Sequence, residues 1–191
     1  TLLFLILTGI VFLRYLLLSG AYHYFVYILL GRDHAVRRVH RGNFKRGQVL
    51  KEVYWSGISS FVFGAVGVGM IIAWQTGYTA IYVDPGLYGY WYLPVSLIAA
   101  MFIHETYYYW LHRWMHRPGV FRWLHKVHHE SHNPDPFSGL SFHPIEAALY
   151  FSSMLLPLLV PLPYWAFWLL RVGLLLGPLN GHHGHSVVEV P

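Results

Sequence analysis

His112-x-x-x-His116 and His125-x-x-His128-His129 set five imidazoles at the three- and four-residue steps that bring side chains to one face of a helix. Neutral imidazole is the commonest protein metal ligand and suits iron, zinc and copper. The chain has no cysteine, so a thiolate site is excluded. Eight of its fourteen histidines lie between His104 and His143. A belt of histidines facing lipid headgroups is the plain alternative, but two successive helical registers favour a metal.

Helix geometry refines the candidate set. At about 100° per residue, Glu105, Tyr109, His112 and His116 fall in one narrow stripe, with His104 about 80° from His112. Glu105 is thus expected to bind a metal or orient a ligand histidine, with His104 turned aside and acting through a ligand. Pro118-Gly119 separates this helix from the one carrying His125, His128 and His129, so two helices can aim five imidazoles at one volume.

The elements that must position these residues are apolar. Hydrophobic residues make up 55% of the chain and charged residues 11%, about half the charged share of soluble domains, which points to a membrane protein. Residues 2–30 can form one long tilted helix or two shorter pieces. Residues 31–51 hold seven of the thirteen Lys and Arg residues, which places that loop in the cytoplasm. Headgroups explain its charge without nucleic acid. Residues 53–74 give one crossing, the turn-rich stretch 77–90 lies on the far side, and a return crossing over 91–103 delivers His104 and its successors to the cytoplasmic face. Residues 147–176, broken by Pro157, Pro161 and Pro163, are too short for two full spans, and fit a re-entrant hairpin or two short distorted helices. Either returns Asn180, His182, His183 and His185 towards the first cluster. The expected fold class is all-α: a multi-pass membrane helical bundle with a cytoplasmic-face, histidine-rich metal site, residues 1–191 forming one domain truncated at both ends.

Rival chemistries fare worse. The metalloprotease pattern His-Glu-x-x-His fails because Tyr108 holds the second histidine position. Ferritin-like di-iron sites need four inward glutamates, and the chain has eight acidic residues, scattered. No nucleophile elbow supports Ser-His-Asp hydrolysis.

The ordered motifs His104-Glu105-x-x-x-Tyr109-Trp110-x-His112-Arg113-x-x-His116, His125-Lys126-x-His128-His129 and Phe142-His143-Pro144-x-Glu146 resemble the fatty acid hydroxylase superfamily, specifically its sterol desaturase-like branch. The resemblance implies an integral membrane oxygenase using two iron ions, dioxygen and an electron-carrier protein to hydroxylate or desaturate a lipid substrate: a sterol, carotenoid, hopanoid or fatty-acyl chain. It implies that His112, His116, His125, His128 and His129 ligate iron, with zinc a possible substitute. His185, or after it His182, would add a ligand, and Glu105, His104 and His143 would support the chemistry, His143 by structuring the site. The family carries a further His-x-x-His-His after the tail motif, which this chain lacks, hence the reading of a truncated enzyme. A zinc-dependent membrane lipid hydrolase and a non-catalytic metal-binding or transport protein are the alternatives. Transport would want ionisable residues along the spans, where only Arg14 and His23 interrupt. Tyr107, Tyr108, Tyr109, Trp110, Trp114 and Trp123 form either a lipid path or an interfacial belt. Arg113, Arg117, Arg122 and Lys126 can dock an acidic electron carrier or anchor headgroups.

Overall fold

The computed structural model describes residues 1–29, 46–84, 86–131, 135–153, 155, 159–170 and 173. Residues 31–45 of the basic loop and the tail from 174, with Asn180, His182, His183 and His185, lie outside the described residues. The described chain is mostly helical. Helix α1 is Leu2–His23, followed by a wide π turn, Tyr24–Leu29; α2 is Gln48–Gln75 and α3 is Tyr92–Met115. α1 and α2 are long and apolar enough to cross a membrane. Each exposes large apolar side chains on its outer face, Leu2 at 72% and Leu17 at 63% on α1 and Phe61 at 55% on α2. α3 is one continuous helix whose first half is apolar and whose second half carries His104, His112 and the aromatic residues between them.

α1 and α2 pack antiparallel, with Phe12 facing Gly57, Thr8 facing Gly64 and Leu7 facing Gly67. Lipid tails are as apolar as leucine, so such a pair is held by close packing of small residues rather than by water exclusion. A Cβ on Gly64 would stand 2.1 Å from Thr8 Oγ1 and 3.1 Å from its backbone nitrogen, so the helices meet there with no room for a methyl group. Gly64→Ala should therefore destabilise the detergent-solubilised protein by about 1–3 kcal/mol. Gly69→Ala, whose added Cβ meets nothing within 4 Å, should leave the unfolding midpoint unchanged or raise it. Equal midpoints for the two variants would refute the close contact.

At the end formed by the C-terminus of α1 and the N-terminus of α2, the chain folds a 3-10 turn, Pro136–Leu140, against both helices. Tyr15 donates to the Phe137 carbonyl and Ser19 to the Pro136 carbonyl, each at 2.9 Å, while the Asp135 carboxylate caps the turn by accepting from the Phe137 and Ser138 amides. This pins the chain between the second histidine motif and helix α6, Pro144–Ser152, which His143 caps and Pro144 starts. One buried cluster, Tyr15, Phe63, Leu140, Phe142, Ala147 and Phe151, joins α1, α2, the turn and α6, with the Phe63 and Phe151 rings 4.1 Å apart.

A second cluster, including Met70, Ala100, Leu162 and Phe167, lies at the other end of α2. There β1 (Ile81–Tyr82) pairs in parallel with β2 (Leu162–Pro163), Ile81 opposite Leu162. This short bridge departs from the all-α expectation. It also brings the proline-broken segment to the level of the α2–α3 connection, where residues 164–170 resume as helix.

Candidate metal centre

α3 ends at Met115 with His116 as its C-cap; Arg117 is extended and Pro118 opens α4, Pro118–Val120. The chain continues through a π-wound turn, Phe121–His125, into α5, Lys126–His129. Proline at the first helical position costs no hydrogen bond and folds the second motif back against the first. The π turn widens the helix immediately before the second motif, a local distortion that recurs at functional sites.

The two motifs converge. Ligand nitrogens of His112, His116 and His125 all lie within 4.8 Å of one another. His112 Nε2 is 3.1 Å from His116 Nε2, and His125 Nε2 is 3.0 Å from His129 Nε2. Ring centroids of His116 and His129 stand 5.0 Å apart, which closes the four into one group; His128 flanks it, 5.4 Å from His125 and against Phe142. Nitrogens bound to one ion at about 2.1 Å can be no more than about 4.2 Å apart, and two ligands at right angles are about 3.0 Å apart. Each four-residue pair thus already has the spacing of two ligands on one ion, and the widest spacing must close by more than about half an ångström for all three nitrogens to share one ion. The donor set suits a borderline metal such as iron or zinc.

Behind the cluster lies Glu146, which the sequence reading left without a role. Its Oε1 is 2.6 Å from Nδ1 of His125, and both side chains are almost completely buried, at 2% and 1% exposure. A carboxylate on one imidazole nitrogen fixes the ring so that the other nitrogen faces the metal. Burial pushes the Glu146 carboxyl up to about 8 and the His125 imidazole down to about 4. Burial, with the nearby His125, also lowers His116. The neutral ring that a metal requires is therefore the favoured form of His125 throughout the physiological range. Glu146 stands at the third position of α6, where its carboxyl also meets the backbone of the capping residue His143. A cation held by the imidazoles would stabilise that buried carboxyl in its charged form, and the all-imidazole donor set with a buried carboxyl behind it is the structural sign that the residues fit a metal.

Glu105 and His104 stand differently from the helix-wheel expectation. Glu105 is exposed, its side chain at 62%, with Oε1 3.2 Å from His104 Nδ1. Sharing a stripe with His112 does not bring it to the site, because seven residues of helix put it about 10 Å down the axis. His104 is buried instead of turned aside: its Nε2 lies 3.1 Å from Ser153 Oγ beside α6, and its ring stacks on Tyr108, which in turn lies against His112. Packing against α6, not alignment with His112, decides which face of α3 is internal. His143 caps α6, accepting at Nδ1 from the Ile145 amide at 3.3 Å, with its ring between Trp55 and Trp123.

The aromatic residues divide. Tyr108 lies inside against the histidines and Tyr107 meets Ser152, whereas Tyr109, Trp110, Trp114 and Trp123 are exposed, as a belt would be. Arg113 is held on that outer face by the Trp110 ring and Tyr109 hydroxyl.

Residues 97–191 match the family described as Fatty acid hydroxylase. Human lathosterol oxidase is 30% identical over 148 residues, covering 76% of this chain and 47% of the relative. A Delta(7)-sterol 5(6)-desaturase of Eremothecium gossypii is 32% identical over 169 residues, 84% of this chain and 44% of its own length. One from Gibberella zeae is 26% identical over 110 residues, 58% of this chain and 34% of the relative. The chain thus spans between a third and a half of the length of these relatives. No solved structure matches it.

Proposed function

Because the chain belongs to the fatty acid hydroxylase superfamily, in its sterol desaturase-like branch, we propose that it carries the metal centre of an integral membrane di-iron oxygenase that hydroxylates or desaturates a lipid, foremost a sterol. The observation that carries this reading is the convergence of His112, His116 and His125 nitrogens within 4.8 Å, supported by the sterol-oxidising names of its relatives. His112, His116, His125, His128 and His129 would hold the irons, with His185, or after it His182, as a further ligand. Bound there, iron supplies the activation of dioxygen that oxidation of an unfunctionalised C–H bond demands.

The chain's own residues do the rest. Glu146 holds the His125 ring at Nδ1 and leaves Nε2 facing the cluster. Phe121, 5.3 Å from the His129 ring, and Phe142, against His128, give the imidazoles apolar neighbours. The exposed tyrosines and tryptophans of α3 suit a lipid sliding in from the bilayer. Dioxygen takes up four electrons; the lipid supplies two and an electron-carrier protein the other two, so hydroxylation leaves one water and desaturation two.

The test is the full-length gene product expressed in a host of defined lipids under isotopically labelled dioxygen, with lipids read by mass spectrometry. A lipid gaining one labelled oxygen, or losing two hydrogens, is the expected result; unchanged lipids with iron and electron carrier supplied would overturn the reading. Metal analysis of the same protein should find about two ions per chain, iron or substituting zinc, because imidazole sites accept both. Folded protein without stoichiometric metal would remove the catalytic reading.

A multi-pass arrangement with the histidines in the cytoplasm follows from the basic loop. Tags within residues 31–45 and beside Asn133 should both be cytoplasmic, and one at 77–84 should not. Opposite labelling of the first two would overturn the topology.

A further inference from the structure

Beside the imidazole cluster, with which it shares one wall, a cavity of about 600 Å³ opens between the start of α2 and the second histidine motif. Arg46, Lys51 and Lys126 line it, with Glu130 the acidic residue among its lining; Phe121 and His129 form the wall it shares with the cluster. Lys51 is committed to Glu130 in an ion pair. Among the described residues, neither Arg46 nor Lys126 has an ion-pair partner. Two cations thus face a cavity without a counter-charge, and the first turn of α2, which carries no acidic residue and no side-chain cap, adds backbone N–H groups to the same rim.

The level of the cavity decides what would fill it. α2 changes within two residues from Lys51-Glu52 to the apolar, aromatic Val53-Tyr54-Trp55, the composition of a helix leaving the headgroup layer for hydrocarbon. A cavity at the Gln48 end of that helix lies where lipid phosphates lie. Its volume is several times that of a phosphate, leaving space for the glycerol that joins it to the acyl chains. We propose that this cavity is a binding site for a phosphate-bearing anion, with Arg46 and Lys126 as its principal ligands and an anionic phospholipid headgroup or free phosphate as the source. Lys51, oriented by Glu130, closes one side, and the occupant lies against Phe121 and His129, at the rim of the metal centre.

The inference rests on the membrane reading of α2 and not on oxygen chemistry, so loss of this binding and loss of catalysis are separate observations. Full-length, metal-loaded protein in neutral detergent is offered phosphatidic acid or phosphatidylcholine, and bound lipid is counted by native mass spectrometry. One phosphatidic acid should bind per chain, in preference to phosphatidylcholine. Arg46→Gln/Lys126→Gln should weaken it about thirtyfold, since each cation near a headgroup contributes about a fivefold attraction. Displacement by inorganic phosphate would make the phosphate group alone the ligand; failure of phosphate to displace a lipid that still depends on the two cations would make the headgroup the source. Equal binding by parent and double variant, or equal binding of the two lipids, would overturn the site. Should the double variant misfold, amine-reactive labelling of Lys126 in the parent chain decides: phosphatidic acid should protect it, and unaltered labelling would refute the proposal.

Discussion

His125→Ala should empty the metal centre and bring lipid oxidation to background. His125 ties the cluster together: its Nε2 pairs with His129, its ring stands 4.8 Å from both His112 and His116, and its Nδ1 is held by Glu146. The other rings are partly open to solvent, whereas His125 is 1% exposed and forms the floor of the group. Losing even a partner behind a ligand costs about 10–100-fold in affinity or activity, so losing the ligand should exceed a hundredfold. The substitution also strands the Glu146 carboxyl in a buried space, which destabilises the protein for a separate reason. His125→Ala is therefore to be read with His116→Ala, whose exposed ring can be removed without a buried orphan. Both should lose metal while circular dichroism stays helical. Stoichiometric iron in either folded variant would contradict the assignment of the cluster.

The second motif, the Pro118-Gly119 break and the long apolar helix α2 are legible in the sequence because each depends on local rules: imidazole spacing, proline at a helix start, and a sustained apolar run. Glu105 shows where those rules stop. A helix wheel reports angle but not height, and only the tertiary contact of His104 with Ser153 reveals which side of α3 faces α6. The π turn over Phe121–His125 has no sequence signature of its own. Glu146 did leave a signal. It is the lone acidic residue in the otherwise apolar helix Pro144–Ser152, and an ionisable group in such a setting is expensive unless it has a partner. The parallel pairing of Ile81 with Leu162 joins residues 81 positions apart, beyond the reach of any local pattern.

Glu146→Gln should lower metal affinity or lipid oxidation about 10–100-fold while leaving the helical content intact. Glutamine keeps the shape and an oxygen able to accept from His125 Nδ1, but it removes the charge that makes the far nitrogen a stronger ligand and offsets the bound cation. Folding and metal binding can be separated by pH. In metal-stripped protein the Glu146 carboxyl sits at about 8 against 4.5 when unfolded, so between those values the native state holds a proton that the unfolded chain has released. Stability from this group is therefore lost as pH rises through the window. His125, at about 4 against 6.5, acts in the opposite sense below 6.5 and is silent above it. From about pH 7 to 8 the metal-stripped parent should accordingly become less stable as pH rises, and Glu146→Gln, which has no proton to lose there, should reduce that slope. Denaturant titrations at pH 7 and 8, with and without metal, measure both effects. A parent and variant with the same pH slope and the same metal affinity would mean that Glu146 only fills space behind His125.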